Sequence, residues 1–309
     1  MRWSRLKTAV IVLLLAANVF FALKIVDLSR DRTDEITGET DAAIIEVLKN
    51  EGIVMPEKLL WRAGNVTAFI CNSSGDYTAP LREKLTGTTE WVYDRRDGSV
   101  RTIQVGDGSK FTFGSGCAFE MLRLEYDTVV DAALGDAASA DVSAETASAV
   151  ELLLGEIFVP DGSVDALSLS TDRVRKSEGT GCIIAEISQK IEYSDANTAL
   201  SSALYGNRLT CVILDGSLIY ASGKWLFSPV TEVKTARQAD TVNILLSVKK
   251  AVSGRADVGH AMTVTDIGHT YCAYANIQSG IGYIMPGCVA VFSDGEKYVV
   301  NAVSAELYE

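Results

Sequence analysis

Proline, histidine and recognisable catalytic motifs are scarce in this sequence. Only 5 prolines and 2 histidines occur among its 309 residues, and 48% of the residues are hydrophobic. This composition excludes a proline-rich disordered chain. Neither His260 nor His269 has a second metal ligand at a recognised spacing, and no G-x-S-x-G, Walker A or C-x-x-C motif occurs. The sequence therefore predicts no enzyme, no metal site and no cofactor.

Basic side chains are scarce beyond residue 24. Four of them, Arg2, Arg5, Lys7 and Lys24, lie in the first 24 residues, which hold no acidic residue. The remaining residues carry 40 acidic and 24 basic side chains, a net charge of about −16. Such an acidic surface has no basic face that could release counterions from phosphates. The charge therefore excludes non-specific binding to nucleic acid.

A long apolar segment follows the first basic residues. From Ala9 to Leu23 every residue except Asn18 is apolar, and residues 8–26 together reach the length of a helix that spans a bilayer. A cleaved signal peptide is the alternative, but it requires small residues at the cleavage site. The run instead ends in FFALKIVDLSRD, with bulky and charged residues. We therefore predict a retained transmembrane helix over residues 8–26.

The charges on either side of this segment predict its orientation. Basic residues precede it and acidic residues follow it, so the positive-inside rule places residues 1–7 in the cytoplasm as a short tip. Everything after the helix then lies outside the cell, beginning with a charged juxtamembrane linker at residues 27–40. The residues expected to set the anchor and its topology are Arg2, Trp3, Arg5, Lys7 and Lys24.

Beyond the linker, helical patterns alternate with strand-like runs. Three helices are predicted, at TDAAIIEVLKNEG, AETASAVELLLGE and QADTVNILLSVKKAVSG. Asp-Gly pairs at Asp97, Asp107 and Asp215 predict hairpin turns, and two-residue turns join antiparallel strands. We therefore expect an α+β ectodomain of two or three helix-plus-antiparallel-sheet units.

One stretch of the ectodomain is rich in Ala, Asp and Ser, which is typical of a domain boundary. It covers residues 132–146. The sequence therefore predicts a first subdomain at residues 41–135 and a second at residues 141–309.

Six cysteines are dispersed through the ectodomain. An even number outside the cell is compatible with three disulfides. Several of them lie within strand-like apolar runs, such as TAFICN and LTCVILD, which is typical of buried free thiols. Both interpretations stay open at this point, and the runs favour buried thiols.

Three segments of the sequence resemble the YycI family. Trp3, Ser4, Lys7 and Thr8 precede the apolar run as in the first residues of these proteins. IIEVLKNEGIVMPEKL is similar to the early L-L-x-x-x-G-I-x-V-P segment of the family. VFSDGEKYVVNAVSAELYE resembles the closing DG-x-x-Y-x-V-N-A-x-T-G-E strand pair, which PepSY-like modules share, although it reads SAE in place of TGE. The residues from Trp61 to Gly280 carry no such resemblance.

The resemblance implies a single-pass regulatory protein of a Gram-positive bacterium that is not an enzyme. Its expected partners are the membrane, a YycH-like protein and the sensor histidine kinase WalK (YycG), which governs cell-wall metabolism. The expected fold is YycH/YycI-like with a PepSY-like C-terminal part. Small residues allow helices to approach in lipid and polar side chains bond across the interface, so the candidate contacts within the membrane are Ala9, Ala16 and Asn18.

Two other functions stay open from the sequence. The first is an anchored extracytoplasmic enzyme or ligand-binding module, with a pocket around His260 and His269. The second is a PepSY-like inhibitor that adds an edge strand to a protease.

Overall fold

β-Strands dominate the structure, a computed structural model that describes residues 41–60, 65–72, 78–88, 90–136, 138–159, 167–194, 199–228, 230–253, 262–276 and 281–308. Strands hold 52% of the described residues and helices hold 26%. The strands are β1 (Ile53–Val54), β2 (Asn65–Asn72), β3 (Tyr93–Asp97), β4 (Val100–Gln104), β5 (Ser109–Phe113), β6 (Ala118–Arg123), β7 (Ser139–Asp141), β8 (Leu167–Ser177), β9 (Ile183–Ser194), β10 (Ala199–Leu214), β11 (Ser217–Lys224), β12 (Val230–Arg237), β13 (Met262–Asn276), β14 (Ile281–Phe292) and β15 (Lys297–Asn301).

The three helices predicted from the sequence are confirmed, and the structure contains two further α-helices in its described residues. The α-helices of the described residues are α1 (residues 41–50), α2 (Thr78–Thr86), α3 (Asp127–Gly135), α4 (Ala144–Phe158) and α5 (Thr241–Ser253), with short 3-10 turns at Glu57–Leu59 and Leu124–Tyr126. The helices α2 and α3 were missed because nine residues give too few turns for an apolar period to emerge. The start of α4 is capped, since the Ser143 Oγ accepts a hydrogen bond from the Thr146 N–H at 3.2 Å.

The hairpin turns predicted from Asp-Gly pairs are confirmed. Asp215 and Gly216 join β10 to β11 with φ angles of 49° and 75°, the pair of positive values that a type I′ turn requires. Gly98 joins β3 to β4 with a φ of 58°. These turns fix the register of long antiparallel hairpins.

The strands join into one mixed sheet. Neighbouring strands follow the order β12-β2-β14-β13-β10-β11-β6-β5-β4-β3. A second branch of the sheet starts at β10, which also pairs with β9, and continues from β9 to β8 and from β8 to β7. The strand β1 pairs with β13, and β15 pairs with β14. Most pairs are antiparallel, but β1 and β10 each run parallel to β13, and β10 meets it through Leu204 and Tyr271. Strands before residue 136 thus pair with strands after residue 141, as β6 does with β11.

The predicted α+β fold, with separate helix-plus-antiparallel-sheet units and a YycH/YycI-like architecture, is wrong. The described residues are mostly β-sheet, and their strands merge into one large mixed sheet. Local sequence patterns indicated the individual strands but not the pairing between strands that are distant along the chain, such as the pairing of β2 with β14. A pairing over so long a separation depends on tertiary packing and leaves no signal in the local sequence.

The predicted membrane anchor lies outside the described residues. This holds for the tip at residues 1–7, the helix at residues 8–26 and the linker at residues 27–40. Within the described part of the chain, none of the helices is both long enough and apolar enough to cross a membrane.

Helices pack on both faces of the sheet around β9. Ala185 and Ile187 of β9 share a buried cluster with Leu154 of α4, whereas Ile184 shares another with Val130 of α3. Because successive residues of a strand point to opposite faces, α4 and α3 lie on opposite sides. A separate cluster beneath β13 and β14 buries α1 and α5.

A wide irregularity in β10 includes Leu204, the residue that pairs with Tyr271 of β13. Residues 204–207 of β10 face Gln189 of β9, because Ala203 pairs with Lys190 and Arg208 with Ser188. The Gln189 Oε1 accepts hydrogen bonds from the Asn207 Nδ2 at 2.8 Å and from the Leu226 N–H at 3.0 Å. Its Nε2 donates to the Leu226 carbonyl at 2.8 Å. The buried amide thus links the irregular part of β10, through the Asn207 side chain, to the main chain of Leu226.

Candidate functional site

Helix α4 has a buried apolar stripe and a second, more exposed line of residues with the exposed Leu152 at its centre. Val150, Leu154 and Phe158 recur every four residues and are buried against the sheet. The second line follows the spacing i, i+4, i+7 and i+11, which keeps its members on one helix face. We call it the α4 seam, and it consists of Ser148, Leu152 and Gly155 of α4 and of Val159 at the C-cap that follows the helix.

The α4 seam lines an open groove between α4 and β8. The groove has a volume of about 580 Å³, and Leu169 of β8 forms its opposite wall. Leu152 is 67% exposed in the middle of the seam. A Cβ placed on Gly155 would lie 3.8 Å from the Leu169 Cδ2, so this helix turn sits close to the strand. The groove is therefore an accessible apolar surface with a defined shape.

Two carboxylates flank the α4 seam. Glu151 and Glu156 line the groove and are exposed. The sequence of α4 contains no lysine, arginine or histidine, so no basic residue of the helix neutralises this rim. The groove therefore combines an apolar floor with a negative edge.

The exposed histidine of β13 lies beside a buried thiol whose pKa is raised. The His269 Nδ1 is 4.0 Å from the Cys288 Sγ, which also lies 3.7 Å from the Gln238 Nε2. Burial raises the pKa of the Cys288 thiol to about 11, although the Gln238 side chain opposes the shift. A thiol with so high a pKa stays protonated at neutral pH, whereas the thiolate is the nucleophile. The raised pKa of the Cys288 thiol thus disfavours its use as a nucleophile.

All six cysteines are buried thiols, as the strand-like runs around several of them favoured. No disulfide joins any of these six described residues. Burial raises the pKa of Cys71 to about 12, and the nearby Cys117 thiol adds to the shift. Burial likewise raises the pKa of Cys272 to about 12, with a further contribution from Cys288. These thiols act as small apolar residues of the core.

Three tyrosines meet near the C-terminus. The Tyr308 ring centroid lies 5.0 Å from that of Tyr274 and 6.4 Å from that of Tyr205, and both pairs are edge-on. The Lys224 Nζ lies 5.8 Å from the Tyr308 ring centroid, and the Tyr308 hydroxyl donates to the Ala273 carbonyl at 2.9 Å. The Lys224 ammonium of the protein thus already occupies the cation site of this aromatic cluster.

Most of the residues that the sequence singled out lie outside the part of the chain that the structure describes. The anchor residues Arg2, Trp3, Arg5, Lys7 and Lys24 and the membrane contacts Ala9, Ala16 and Asn18 lie outside the described residues, as does His260. His269 is described and lies on β13. Across the described ranges, no group of three or more His, Cys, Asp or Glu side chains is arranged to hold a metal ion.

Sequence reasoning found α4 but missed its exposed seam. The pattern of AETASAVELLLGE predicted a helix without distinguishing its faces, whereas residues 148, 152, 155 and 159 have the spacing of the a and d positions of a heptad. The glutamates at positions 151 and 156 then fall on the flanking g and e positions. The heptad frame was therefore a signal available in the sequence.

Comparison with known proteins gives no family for this chain. No family model and no curated protein matches it. Among solved structures, the chain is similar to the crystal structure of an uncharacterized protein from Eubacterium rectale, with 13% sequence identity and a TM-score of 0.36. That match covers 81% of this chain and 86% of the other. A likeness this distant carries no conclusion about function.

Proposed function

We propose that this chain is a membrane-anchored extracytoplasmic regulatory protein that modulates a sensor histidine kinase of cell-wall metabolism by protein–protein contact. The observation that carries the proposal is the exposed Leu152 in the groove of the α4 seam. Burying a leucine side chain contributes about 1.5–3 kcal/mol. An apolar groove with a charged rim also has the composition of a small protein-contact surface.

The N-terminal segment supports the same proposal. Its Trp-Ser and Lys-Thr pairs resemble the start of the YycI family, and the apolar run at residues 8–26 is long enough to anchor the chain beside a kinase. Two proteins held in one membrane meet at a high effective concentration. A modest contact surface is then sufficient for regulation.

Crosslinking of the full chain in membranes tests the proposal. We expect a tagged chain to capture the sensor kinase, and deletion of its gene to change transcription of the genes that the kinase controls. An Asn18→Leu variant should still insert, because it removes a polar group from lipid, but should capture less kinase. The matched control is Val19→Leu, an apolar exchange at the next position, which should capture as much kinase as the wild type. The proposal is wrong if the wild-type chain captures no kinase and the regulated genes are unchanged by the deletion.

A further inference from the structure

We propose that the α4 seam docks a cationic amphipathic helix of the partner protein. This inference rests on the proposed function, since it names the surface and the chemistry of the contact. In a heptad frame, Leu152 and Val159 take the a positions, and Ser148 and Gly155 take the d positions. These positions form the contact line of two packed helices.

The shape of the groove indicates what the partner helix carries. The d position at Ser148 bears only a hydroxymethyl group, which leaves a hole beside Leu152, whereas the missing side chain of Gly155 lets Leu169 approach the helix. Large apolar side chains of a facing helix fit such holes as knobs. Leu169 closes the groove on the side of the sheet and gives these knobs a second apolar wall. The expected partner residues on the contact line are therefore Leu, Ile, Met or Phe.

The charges of the groove indicate a basic partner and disfavour a second copy of this chain. Glu151 and Glu156 take the g and e positions, where charges of facing helices meet and set the choice of partner. Two copies of α4 packed through this seam would place glutamates opposite glutamates, which is destabilising. Lysine or arginine at the e and g positions of the facing helix instead forms pairs of opposite charge. The occupant is therefore a helix of another protein with a basic rim.

The length of the seam sets the strength of the contact. From residue 148 to residue 159 the helix advances by about 16 Å, or about three turns. Isolated helices of this length are marginal in water, so the partner helix forms as it docks and the binding is weak on its own. Attachment of both proteins to one membrane compensates for this weakness.

A pair of synthetic peptides tests the inference on the full chain in detergent micelles. The probe is a fluorescein-labelled helical peptide with Leu at the a and d positions and Lys at the e and g positions, and the matched peptide has Glu at the e and g positions. We expect the Lys peptide to bind about tenfold or more tightly than the Glu peptide in fluorescence anisotropy. The variant Glu151→Lys/Glu156→Lys should reverse this preference. Leu152→Asp should abolish the binding of both peptides.

A charge reversal on the opposite face of the sheet is the control. Glu125 and Asp131 are exposed in and next to α3, away from the groove, so Glu125→Lys/Asp131→Lys changes the net charge equally without touching the seam. The inference is overturned if neither peptide binds, if both bind equally, or if this control weakens Lys-peptide binding as much as the seam variant does. The crosslinking of the kinase is measured separately. If the chain captures the kinase but binds neither peptide, the proposed docking site is wrong and the regulatory function stands. If the chain binds the Lys peptide but captures no kinase, the docking site stands and the proposed regulation of the kinase is wrong.

Discussion

The Trp225 indole Nε1 donates a hydrogen bond to the main-chain carbonyl of Phe158 across 3.0 Å. Phe158 is the last residue of α4, and the two ring centroids are 5.7 Å apart. The final carbonyls of a helix have no partner within the helix, so this bond satisfies one of them from the sheet side. Trp225 thereby fixes the end of α4 and, with it, the α4 seam.

Replacing Trp225 with Phe should destabilise the protein by about 3 kcal/mol, because it leaves a buried carbonyl without a donor and opens a cavity. Urea unfolding of the full chain in detergent measures the effect. Trp91→Phe is the matched control, since Trp91 is half exposed and contacts the Arg82 guanidinium 5.5 Å from its ring centroid. That control should cost about 1 kcal/mol or less. Equal losses in the two variants would contradict the assigned role of Trp225.

Gly223 is the position of the sheet at which a side chain is least tolerated. Its φ is 148°, and a Cβ there would lie 2.0 Å from the carbonyl oxygen of Arg208. The clash is with backbone, which cannot rotate away, so Gly223→Ala should destabilise the protein by about 3 kcal/mol or more. Gly268→Ala on β13 is the control, because a Cβ at Gly268 meets no atom within 4 Å. If Gly223→Ala has the same melting temperature as the Gly268→Ala control, then the close approach of β10 and β11 at Gly223 is not rigid.

Local signals in the sequence predicted elements of this fold but not its assembly. Asp215 and Gly216 predicted a hairpin because two-residue turns require positive φ angles that few residues adopt. The pairing of Leu204 with Tyr271 joins strands that are far apart along the chain, and only tertiary packing selects it. Gln189 illustrates the same limit, since its role depends on a bulge in another strand. The overall α+β prediction was wrong for this reason.

The candidate site was predictable in part. The pattern of α4 indicated a helix, and its two glutamates and Leu152 are visible in the sequence. The side of the helix that faces the sheet depends on the cluster around Leu154, which sequence periodicity alone cannot assign when a second line of residues adjoins the apolar stripe. The groove also needs Leu169 from β8, a residue that the local pattern of α4 does not reveal.

The orientation of the anchor is testable through its basic residues. Replacing Arg2, Arg5 and Lys7 with Glu should reverse or scramble the insertion of the chain, because positive charges near a membrane helix are retained in the cytoplasm. A reporter that is active only after export, fused after Asp41, should then lose activity. The exchange of each residue for the other basic type, Arg2→Lys/Arg5→Lys/Lys7→Arg, is the control and should leave the reporter active. An acidic variant with full reporter activity would refute the predicted topology.

Ionisation of the Tyr274 hydroxyl should destabilise the folded protein at high pH. Burial raises the pKa of its hydroxyl to about 12, and the neighbouring Cys272 and Glu306 add to the shift against the Asn301 side chain. The folded state therefore holds the phenol proton more tightly than the unfolded state, whose tyrosine pKa is about 10. The stabilisation is fully present below about pH 10 and is lost as the pH rises from about 10 towards 12.

Tyr274→Phe should remove this part of the pH dependence, because phenylalanine keeps a ring beside Tyr308 but has no ionisable hydroxyl. The measurement is the free energy of unfolding in urea at about pH 8 and about pH 11. We expect it to fall less between these values in the variant than in the wild type. Tyr283→Phe, at an exposed position of β14, is the control and should show the fall of the wild type. If Tyr274→Phe and the wild type lose equal stability at high pH, then other buried groups whose pKa is raised, such as the Tyr271 and Tyr308 hydroxyls and the Cys71 thiol, and not Tyr274, set the alkaline limit.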